Sequence, residues 1–218
     1  MTTQTRETSA LTLGDAARRF MGHRSPRILV PLVAVAWAAR VALGDWSLGD
    51  AVVPAVILGL EPFTEWAIHV FLLHWKPRTM LGVRVDPLAA REHRAHHRDP
   101  KDEDLVFVPL PVLITSVTVG AGLYLVLLPR FELAVMTMAA SYSMLLVYEW
   151  THFLIHSTYR PRTRLYRSVW RAHRLHHFRN ERYWFGGTVH AADHVLGTFP
   201  DKDAVPVSAT ARTLGVAS

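Results

Sequence analysis

Ten histidines at recurring spacings are the residues of this chain with the clearest potential for chemistry. The stretches REHRAHHRDP and WRAHRLHHFRN each contain the arrangement H-x-x-H-H, and two further pairs are five and four residues apart. Residues three and four apart share one face of an α-helix, so H-x-x-H-H presents its first histidine with the later two. Neutral imidazole is a good ligand for iron, zinc, copper and nickel. We therefore predict metal ligation by His69, His74, His93, His96, His97, His152, His156, His173, His176 and His177.

The number and type of these groups predict two metal ions held by nitrogen. One ion takes about four to six ligands, so ten imidazoles suit two ions. Five residues separate His69 from His74, which places them about 140° apart on a regular helix. This pair therefore requires a distorted helix end or ligation of two different metals. The chain has no cysteine, which excludes thiolate zinc sites, iron–sulfur clusters and cysteine-ligated haem. No catalytic residue beyond the metal ligands is assigned.

Several other polar residues lie close to the predicted ligands in the sequence. Glu65 lies one turn before His69, and Glu149 lies three residues before His152. Carboxylates inside apolar segments are costly and are usually functional. We expect both to orient ligating imidazoles through the distal N–H, with an internal salt bridge or a protonated acid as the alternative. The other candidates for a supporting role are Asp193, His190 and His194.

Four apolar segments must position these histidines. A helix needs about 20 apolar residues to span a bilayer, and three of the segments reach that length. The first segment is long enough only with its flanking residues, or else it is re-entrant. The segments lack the alternation expected of membrane β-strands. They comprise residues 28–43, 51–75, 105–128 and 131–156.

The positive charges give these segments an orientation. All but Arg40 and Arg130 of the 24 lysines and arginines lie before the first segment, between the second and third, or after the fourth. The positive-inside rule places those regions, both termini and all ten histidines in the cytoplasm. The formal net charge of +6 is explained by this topology, so we expect no nucleic-acid partner.

These patterns predict an all-α integral membrane protein. About four transmembrane helices would carry a cytoplasmic, histidine-rich helical cap that holds a dinuclear metal site. Residues 1–26 are expected to form a polar cytoplasmic leader, partly helical from Leu13 to Met21, because they lack the features of a signal peptide. Residues 27–200 are expected to form the membrane-embedded domain, with its histidine motifs within 69–177. Residues 201–218 are expected to be a polar, flexible tail.

A pair of nitrogen-ligated metals at a membrane face limits the chemistry. Zinc would give a hydrolase or a structural site, and a structural site needs only about four ligands. Two irons would use electrons and O₂ to attack an unactivated C–H bond of a lipid that arrives from the bilayer. A haem-binding electron carrier would need facing histidine pairs within the bilayer and would leave most of the histidines unexplained. A metal transporter would need ligands along a path through the membrane.

The order of the histidine motifs resembles that of the fatty acid hydroxylase superfamily, which includes sterol desaturases, carotenoid hydroxylases and fatty acid 2-hydroxylases. Three stretches resemble the 2-hydroxylase branch: HRAHHRDPKDEDLVFVPLPVLI, YEWTHFLIHS and WRAHRLHHFRNERYWFGGTVHAADHVLGT. The resemblance covers residues 60–199. Glu149, Ser157 and Ala192 stand where that branch usually has Asp, His and Trp. These departures weaken the assignment to 2-hydroxylation more than the assignment to the superfamily.

The resemblance implies a membrane oxygenase that hydroxylates a lipid acyl chain with O₂. It implies two iron ions as cofactor, although zinc can occupy such sites. A desaturase, or a carotenoid or sterol oxidase, on the same metal centre is the alternative because the histidine spacing does not separate them. The leader is too short to fold a cytochrome b5-like domain. We therefore expect a separate electron donor of the cytochrome b5, ferredoxin or reductase type, and a lipid substrate from the bilayer.

Overall fold

Helices dominate the computed structural model, which describes residues 10–216. A π-helix, Ile68–Leu73, directly follows the helix Gly49–Ala67, and two short 3₁₀-helices, Glu103–Leu105 and Lys202–Ala204, lie in connecting segments. The described residues contain eight α-helices: α1 (Leu13–Phe20), α2 (Arg24–Leu43), α3 (Gly49–Ala67), α4 (Leu88–Arg98), α5 (Leu110–Leu127), α6 (Phe131–His156), α7 (Arg164–Phe178) and α8 (Ala191–Val195).

Four helical segments are long and apolar enough to cross a membrane, which indicates a membrane protein. They are Arg24–Leu43, Gly49–Leu73, Glu103–Leu127 and Phe131–His156. The first segment reaches 20 residues because the helix begins at Arg24, before the apolar run itself. At about 1.5 Å per residue this length matches the hydrocarbon core of a bilayer. The prediction of four spanning helices is confirmed, and the first is long enough with its flanking residues.

Helix α6 lies at the centre of the bundle and packs against α2, α3 and α5. Small side chains allow close approach, since Ala36 of α2 and Ala139 of α6 form one buried cluster with Tyr142. By contrast, α5 turns large apolar side chains outwards, and Val126 is 81% exposed. Such a surface is favourable only against lipid or another protein. The packing therefore supports the membrane assignment.

At the end of the bundle remote from the histidines, a buried ion pair ties α2 to α3. Arg40 is fully buried and donates from Nε to Asp50 Oδ1 at 2.6 Å and from Nη1 to the Gly44 carbonyl at 2.6 Å. A charge in an apolar segment is tolerable when it is paired in this way. Arg40 is thus an internal structural group at this end of the bundle.

A β-hairpin is an addition to the predicted all-helical fold. Strands β1 (Arg78–Met80) and β2 (Val83–Val85) pair in antiparallel register. The turn residues Leu81 and Gly82 both have positive φ, 50° and 79°, as in the two-residue turns that match the twist of a hairpin. The hairpin occupies the connection between the π-helix and α4, at the histidine end.

The described part of the leader belongs to the folded structure. Helix α1 is capped by the Thr12 hydroxyl, which accepts from the Asp15 amide. Phe20 then packs with Phe107 and Phe153 in a buried cluster. The predicted helix is confirmed, whereas residues 1–9 lie outside the described residues. The boundaries of the leader and of the membrane domain stay predictions.

The segment after residue 200 differs from the loose tail that we expected. Val205, Ala211 and Leu214 are buried, and the Ala211 carbonyl accepts a hydrogen bond from His97 Nδ1 at 2.8 Å. Most residues of this segment are small or polar, but its few apolar side chains are buried against the part of the protein that contains the histidines. Residues 201–216 therefore help to enclose the candidate site, and residues 217–218 lie outside the described part.

Candidate metal centre

All ten predicted histidines meet at one end of the bundle, in two groups of five. Within each group the nearest ring nitrogens lie within 4.8 Å of one another. The rings are buried, apart from the partly buried His74 and His156. The first group contains His69, His74, His93, His97 and His176. The second contains His96, His152, His156, His173 and His177.

A π-helical turn brings His69 and His74 together. His74 N–H donates to the His69 carbonyl at 3.0 Å, a bond that spans five residues. The wider turn of a π-helix, unlike a regular α-helix, places residues five apart on one face. Both rings accordingly join the first group. The distorted helix end is thus present, and it places both rings in one group rather than one ring in each.

Each H-x-x-H-H motif divides its histidines between the two groups. On α4, His93 and His97 join the first group while His96 joins the second. On α7 the division is reversed, because His173 and His177 join the second group and His176 the first. Pairs four residues apart thus share one group, and the middle histidine crosses to the other. We expected the first histidine of each motif to act with both later ones, but it shares a group only with the third.

Hydrogen bonds to backbone carbonyls fix the tautomers of five rings. A carbonyl oxygen only accepts, so the ring nitrogen facing it carries the proton. The Nδ1–H donors are 2.8–2.9 Å from their acceptors, which leaves each Nε2 with a free lone pair. The donor and acceptor pairs are His69 with Phe185, His97 with Ala211, His152 with Val106, His156 with Pro100, and His176 with Tyr183.

The Nε2 atoms of the second group converge on one point. His173 Nε2 lies 3.2 Å from His152 Nε2, 3.0 Å from His156 Nε2 and 3.0 Å from His177 Nε2. One ring proton cannot serve three neighbours, and His152 and His156 present lone pairs. Two nitrogens bound to one ion at about 2.1 Å and at right angles lie about 3.0 Å apart. The spacing therefore fits a shared cation.

The first group shows the same need for a cation. His93 Nε2 lies 3.1 Å from His69 Nε2 and 3.2 Å from His97 Nε2. The Nε2 atoms of His74 and His176 are buried and have no hydrogen-bond partner in the described structure. Buried polar nitrogens without partners are unfavourable. The residues present thus fit one metal ion in each group.

Electrostatics keeps these rings neutral and able to bind metal. Burial lowers the pKa of His97 to about 3. Burial, followed by repulsion from neighbouring imidazoles, holds the pKa values of His93 and His173 well below the usual 6.5. Neutral imidazole is the form that ligates metals. The same effects lower the pKa values of His74, His96, His176 and His177.

Acidification is expected to release the metals and unfold the site. Because the folded pKa values lie below 6.5, the unfolded chain binds more protons, and stability falls as the pH decreases from 6.5 towards 3. Each buried histidine lowers the free energy of unfolding by about 1 kcal/mol for each unit by which the pH falls in this range. Metal content after desalting at pH 8, 7, 6 and 5 checks this expectation. Full retention at pH 5 would contradict it.

The carboxylates support the site differently from what we expected. No hydrogen bond joins Glu65 or Glu149 to an imidazole within residues 10–216. Glu65 accepts instead from the Gly187 amide at 2.5 Å. Glu149 accepts from the Ser25 hydroxyl at 2.6 and 2.7 Å and from the Val108 amide at 3.1 Å. Both carboxylates therefore hold backbone segments close to the carbonyls that fix the rings.

Asp193 has the same indirect role. It is buried and accepts from the Phe185 amide at 3.0 Å and the Gly186 amide at 2.7 Å, and from the Thr198 hydroxyl at 2.6 Å. The Phe185 carbonyl in turn accepts from His69. The carbonyl acceptors carry no sequence signal, because every residue has one. The two adjacent glycines at 186–187 were the sequence signal that the backbone approaches other groups closely here.

The two remaining candidate histidines lie outside both groups. His190 is buried with its ring 4.6 Å from that of Phe199, and the exposed His194 contacts the same ring at 4.4 Å. Their shared contact is with an aromatic side chain. Both histidines thus pack on Phe199 at α8, and their supporting role stays a prediction.

A cavity of about 320 Å³ adjoins both histidine groups. His69 and His93 of the first group and His152 of the second line its wall. Most other lining residues are apolar side chains of the π-helix, the segment 105–109, α5 and α6. Its polar wall includes Glu61 and Glu65. Sequence reasoning assigned no substrate-binding residue, although Glu61 and Glu65 are both visible in the sequence as carboxylates within an apolar segment.

The fold and the site together define a helical membrane protein with two buried imidazole groups that could hold metal ions beside an apolar cavity. The sequence profile described as "Fatty acid hydroxylase" matches residues 54–198, more than half of the chain. The chain therefore belongs to the fatty acid hydroxylase family. This membership implies an oxidoreductase.

Similar proteins support this assignment. The dihydroceramide fatty acyl 2-hydroxylase FAH1 of Arabidopsis thaliana is 28% identical over 182 residues, covering 82% of this chain and 73% of the relative. The dihydroceramide fatty acyl 2-hydroxylase FAH2 of the same plant is 29% identical over 138 residues, covering 62% and 55%. The structure of full-length Scs7p, in which only the hydroxylase domain is visible, has a TM-score of 0.69 at 22% identity. That match covers 84% of this chain and 68% of Scs7p, and it shows that the two share a fold.

Proposed function

We propose that this protein is a membrane di-iron oxygenase that hydroxylates a lipid acyl chain with O₂ and external electrons. The observation that carries the proposal is the single cavity wall shared by His69 and His93 of one group and His152 of the other. A chain in that cavity would lie beside both metal positions. The cavity is bounded by the apolar helices α3, α5 and α6, so a lipid would reach it from the bilayer.

The proposed reaction balances with two electrons and two protons. A substrate C–H bond and O₂ give C–OH and water, which requires two electrons from a separate donor and two protons from solvent. Bound iron would supply the O₂ activation, which nitrogen ligands of this type support. The ten histidines would hold the ions, and their carbonyl partners would fix the ring orientations. The apolar wall would position the chain and exclude water.

The positive charges support a cytoplasmic location of the histidine end. All but Arg40 and Arg130 of the 24 lysines and arginines lie at that end, either outside the spans or, for Arg24 and Arg27, in the first turn of α2. By the positive-inside rule both termini would also be cytoplasmic. The lipid would then approach within the bilayer, and the electron donor would approach from the cytoplasm.

The oxidised position is proposed to be the carbon next to the acyl carbonyl. The named relatives are fatty acyl 2-hydroxylases. The polar wall of the cavity presents carboxylate groups, which suit a lipid whose amide N–H lies next to the acyl carbonyl. Thr188 Oγ1 donates to Glu65 at 2.6 Å and also lies 3.2 Å from Glu61 Oε2. An amide-linked acyl lipid could place its own donors against Glu61.

Lipid mass spectrometry of cells expressing the intact protein, beside cells expressing the His176→Ala form, tests the proposal. We expect a lipid that gains one oxygen only with the intact protein, and fragmentation should place it at carbon 2. A lipid that loses two hydrogens would instead identify a desaturase. An unchanged lipid profile, with both metals bound and a working donor present, would refute the oxygenase.

Narrowing the cavity is expected to lower activity without metal loss. Ser116 of α5 lines the cavity, so Ser116→Trp should displace the acyl chain. We expect hydroxylation to fall at least about tenfold, since misplacement of a substrate by an ångström is costly. The neighbouring exposed Thr115 does not line the cavity, and Thr115→Trp is the matched control. Equal activity of the two variants, measured at equal metal content, would contradict the cavity assignment.

A further inference from the structure

A run of arginines without any acidic residue follows α6. Residues 157–180 contain no aspartate or glutamate. The run includes α7, which presents three of the ten histidines. A long segment of one charge is unusual beside a buried site, because opposite charges normally intersperse on a surface. Its arginines are Arg160, Arg162, Arg164, Arg167, Arg171, Arg174 and Arg179.

Four of these arginines form a stripe along the exposed face of α7. Spacings of three, four and three residues place them on one side of a helix. All four are exposed, and none forms an ion pair in the described structure. Leu165 and Phe178, which are 67% and 45% exposed, lie beside them. We call this set the arginine stripe: Arg164, Arg167, Arg171 and Arg174.

The opposite face of the same helix is buried in the candidate metal centre. His173 lies between stripe residues Arg171 and Arg174 in sequence, yet it is only 3% exposed. His176 and His177 are fully buried on that side. A helix with its side chains is about 10 Å across. A partner bound to the stripe would therefore lie one helix thickness from both groups of histidines.

Helix α4, which carries the other H-x-x-H-H motif, has no comparable row of arginines without polar partners. On α4, Arg94 donates to Asp86 at 2.6 Å and to the Trp75 carbonyl at 2.7 Å. Arg91 lies 4.0 Å from Glu92. Arg98 donates from Nη2 to the Val216 carbonyl at 3.4 Å. The arginines of α4 thus have polar partners within the protein. The four of the stripe have no hydrogen-bond or ion-pair partner in the described residues, and Arg174 stacks over the Trp170 ring at 4.7 Å. The stripe is the better electrostatic match for an acidic surface.

We propose that the arginine stripe docks an acidic, one-electron carrier protein that supplies the metal centre. This inference rests on the proposed function, which requires two electrons for each hydroxylation. Each docking event would oxidise one reduced carrier by one electron, and two events would complete the reduction. The stripe raises the rate of encounter, and the exposed Leu165 and Phe178 add apolar contact at its edge.

Charge reversal tests the docking in protein reconstituted into phosphatidylcholine nanodiscs. The probe is a reduced plant-type ferredoxin, an acidic one-electron carrier, and the variant is Arg167→Glu/Arg171→Glu. We expect kcat/KM for ferredoxin to fall at least about tenfold at low ionic strength. The difference should shrink to about twofold at high salt, which screens exposed charges. The control Arg84→Glu/Lys101→Glu makes the same charge change at exposed sites off α7 and should have little effect.

Single-turnover experiments separate docking from catalysis. Enzyme that is reduced chemically, freed of reductant and mixed with lipid and O₂ needs no carrier. The stripe variant should then form as much product as the wild type. Equal loss in this assay, or equal loss in the control variant, would overturn the docking site. So would a defect seen only when the nanodiscs contain anionic lipid, because the stripe would then bind headgroups. Absence of product from the reduced wild type would refute the proposed function itself, and the docking with it.

Discussion

Replacement of His173 by alanine is expected to reduce the metal content from about two ions per chain to about one and to abolish hydroxylation. His173 Nε2 lies within 3.2 Å of three other Nε2 atoms, those of His152, His156 and His177. No other nitrogen of the second group has so many such neighbours among the described contacts. Changes in the surroundings of metal ligands already cost about 10–100-fold, so removal of a ligand should cost at least about 100-fold. Elemental analysis and product formation, measured on the same preparation, check both parts.

His23→Ala is the matched control for the loss of an imidazole. His23 Nδ1 lies 3.0 Å from Asp104 Oδ1, and its ring packs on Phe107, outside both groups. Metal content and activity should match those of the wild type. Retention of two ions by the His173 variant would show that the second group does not hold a metal in the proposed way. Loss of both ions would show instead that the two sites are not independent.

The membrane helices were predictable because hydropathy and length are local properties. The segment 131–156 coincides with α6, and the segment 105–128 contains α5. The boundary of α2 was less predictable, since its first turn is polar and includes Arg24 and Arg27. The hairpin was missed because it depends on two residues, Leu81 and Gly82, whose positive φ has only a weak sequence signal.

That the ten histidines lie together was predictable, but their arrangement into two groups was not. Ten imidazoles at helical spacing predict metal ligands from the sequence alone, because the spacing does not depend on tertiary contacts. The partition between the two groups depends on how α4 and α7 face the ends of α3 and α6, which is a tertiary property. The His69–His74 pair shows this clearly, because a π-helical turn could be named only as one of two possibilities.

The supporting contacts were the least predictable part. The carbonyls of Phe185, Ala211 and Val106 receive ring protons, and a carbonyl is common to all residues. A buried carboxylate is visible in a sequence, but its partner is not. Glu65, Glu149 and Asp193 lie near the histidine groups, but their contacts with backbone amides became visible only in the folded structure.

Replacement of Asp193 by alanine is expected to destabilise the first group selectively. The change leaves the buried amides of Phe185 and Gly186 without their acceptor, at a cost of about 1–3 kcal/mol each. The Phe185 carbonyl that orients His69 belongs to the same segment. The acceptors for the second group, at Val106 and Pro100, lie elsewhere in the chain. We therefore expect a lower temperature of unfolding and loss of about one metal ion.

Two substitutions make this prediction specific. Asp193→Asn keeps one carbonyl oxygen that can accept from an amide, so it should lie between the wild type and Asp193→Ala in metal content. Asp203→Ala removes a carboxylate that is 75% exposed and paired with Lys202, so it should change neither quantity. If Asp193→Ala retains two ions and the wild-type unfolding temperature, the loop does not support the metal site. If it loses both ions together with the helical signal, Asp193 acts on the fold as a whole. Selective loss of one ion would show that a carboxylate can control metal binding through two backbone amides and a carbonyl, without touching a ligand.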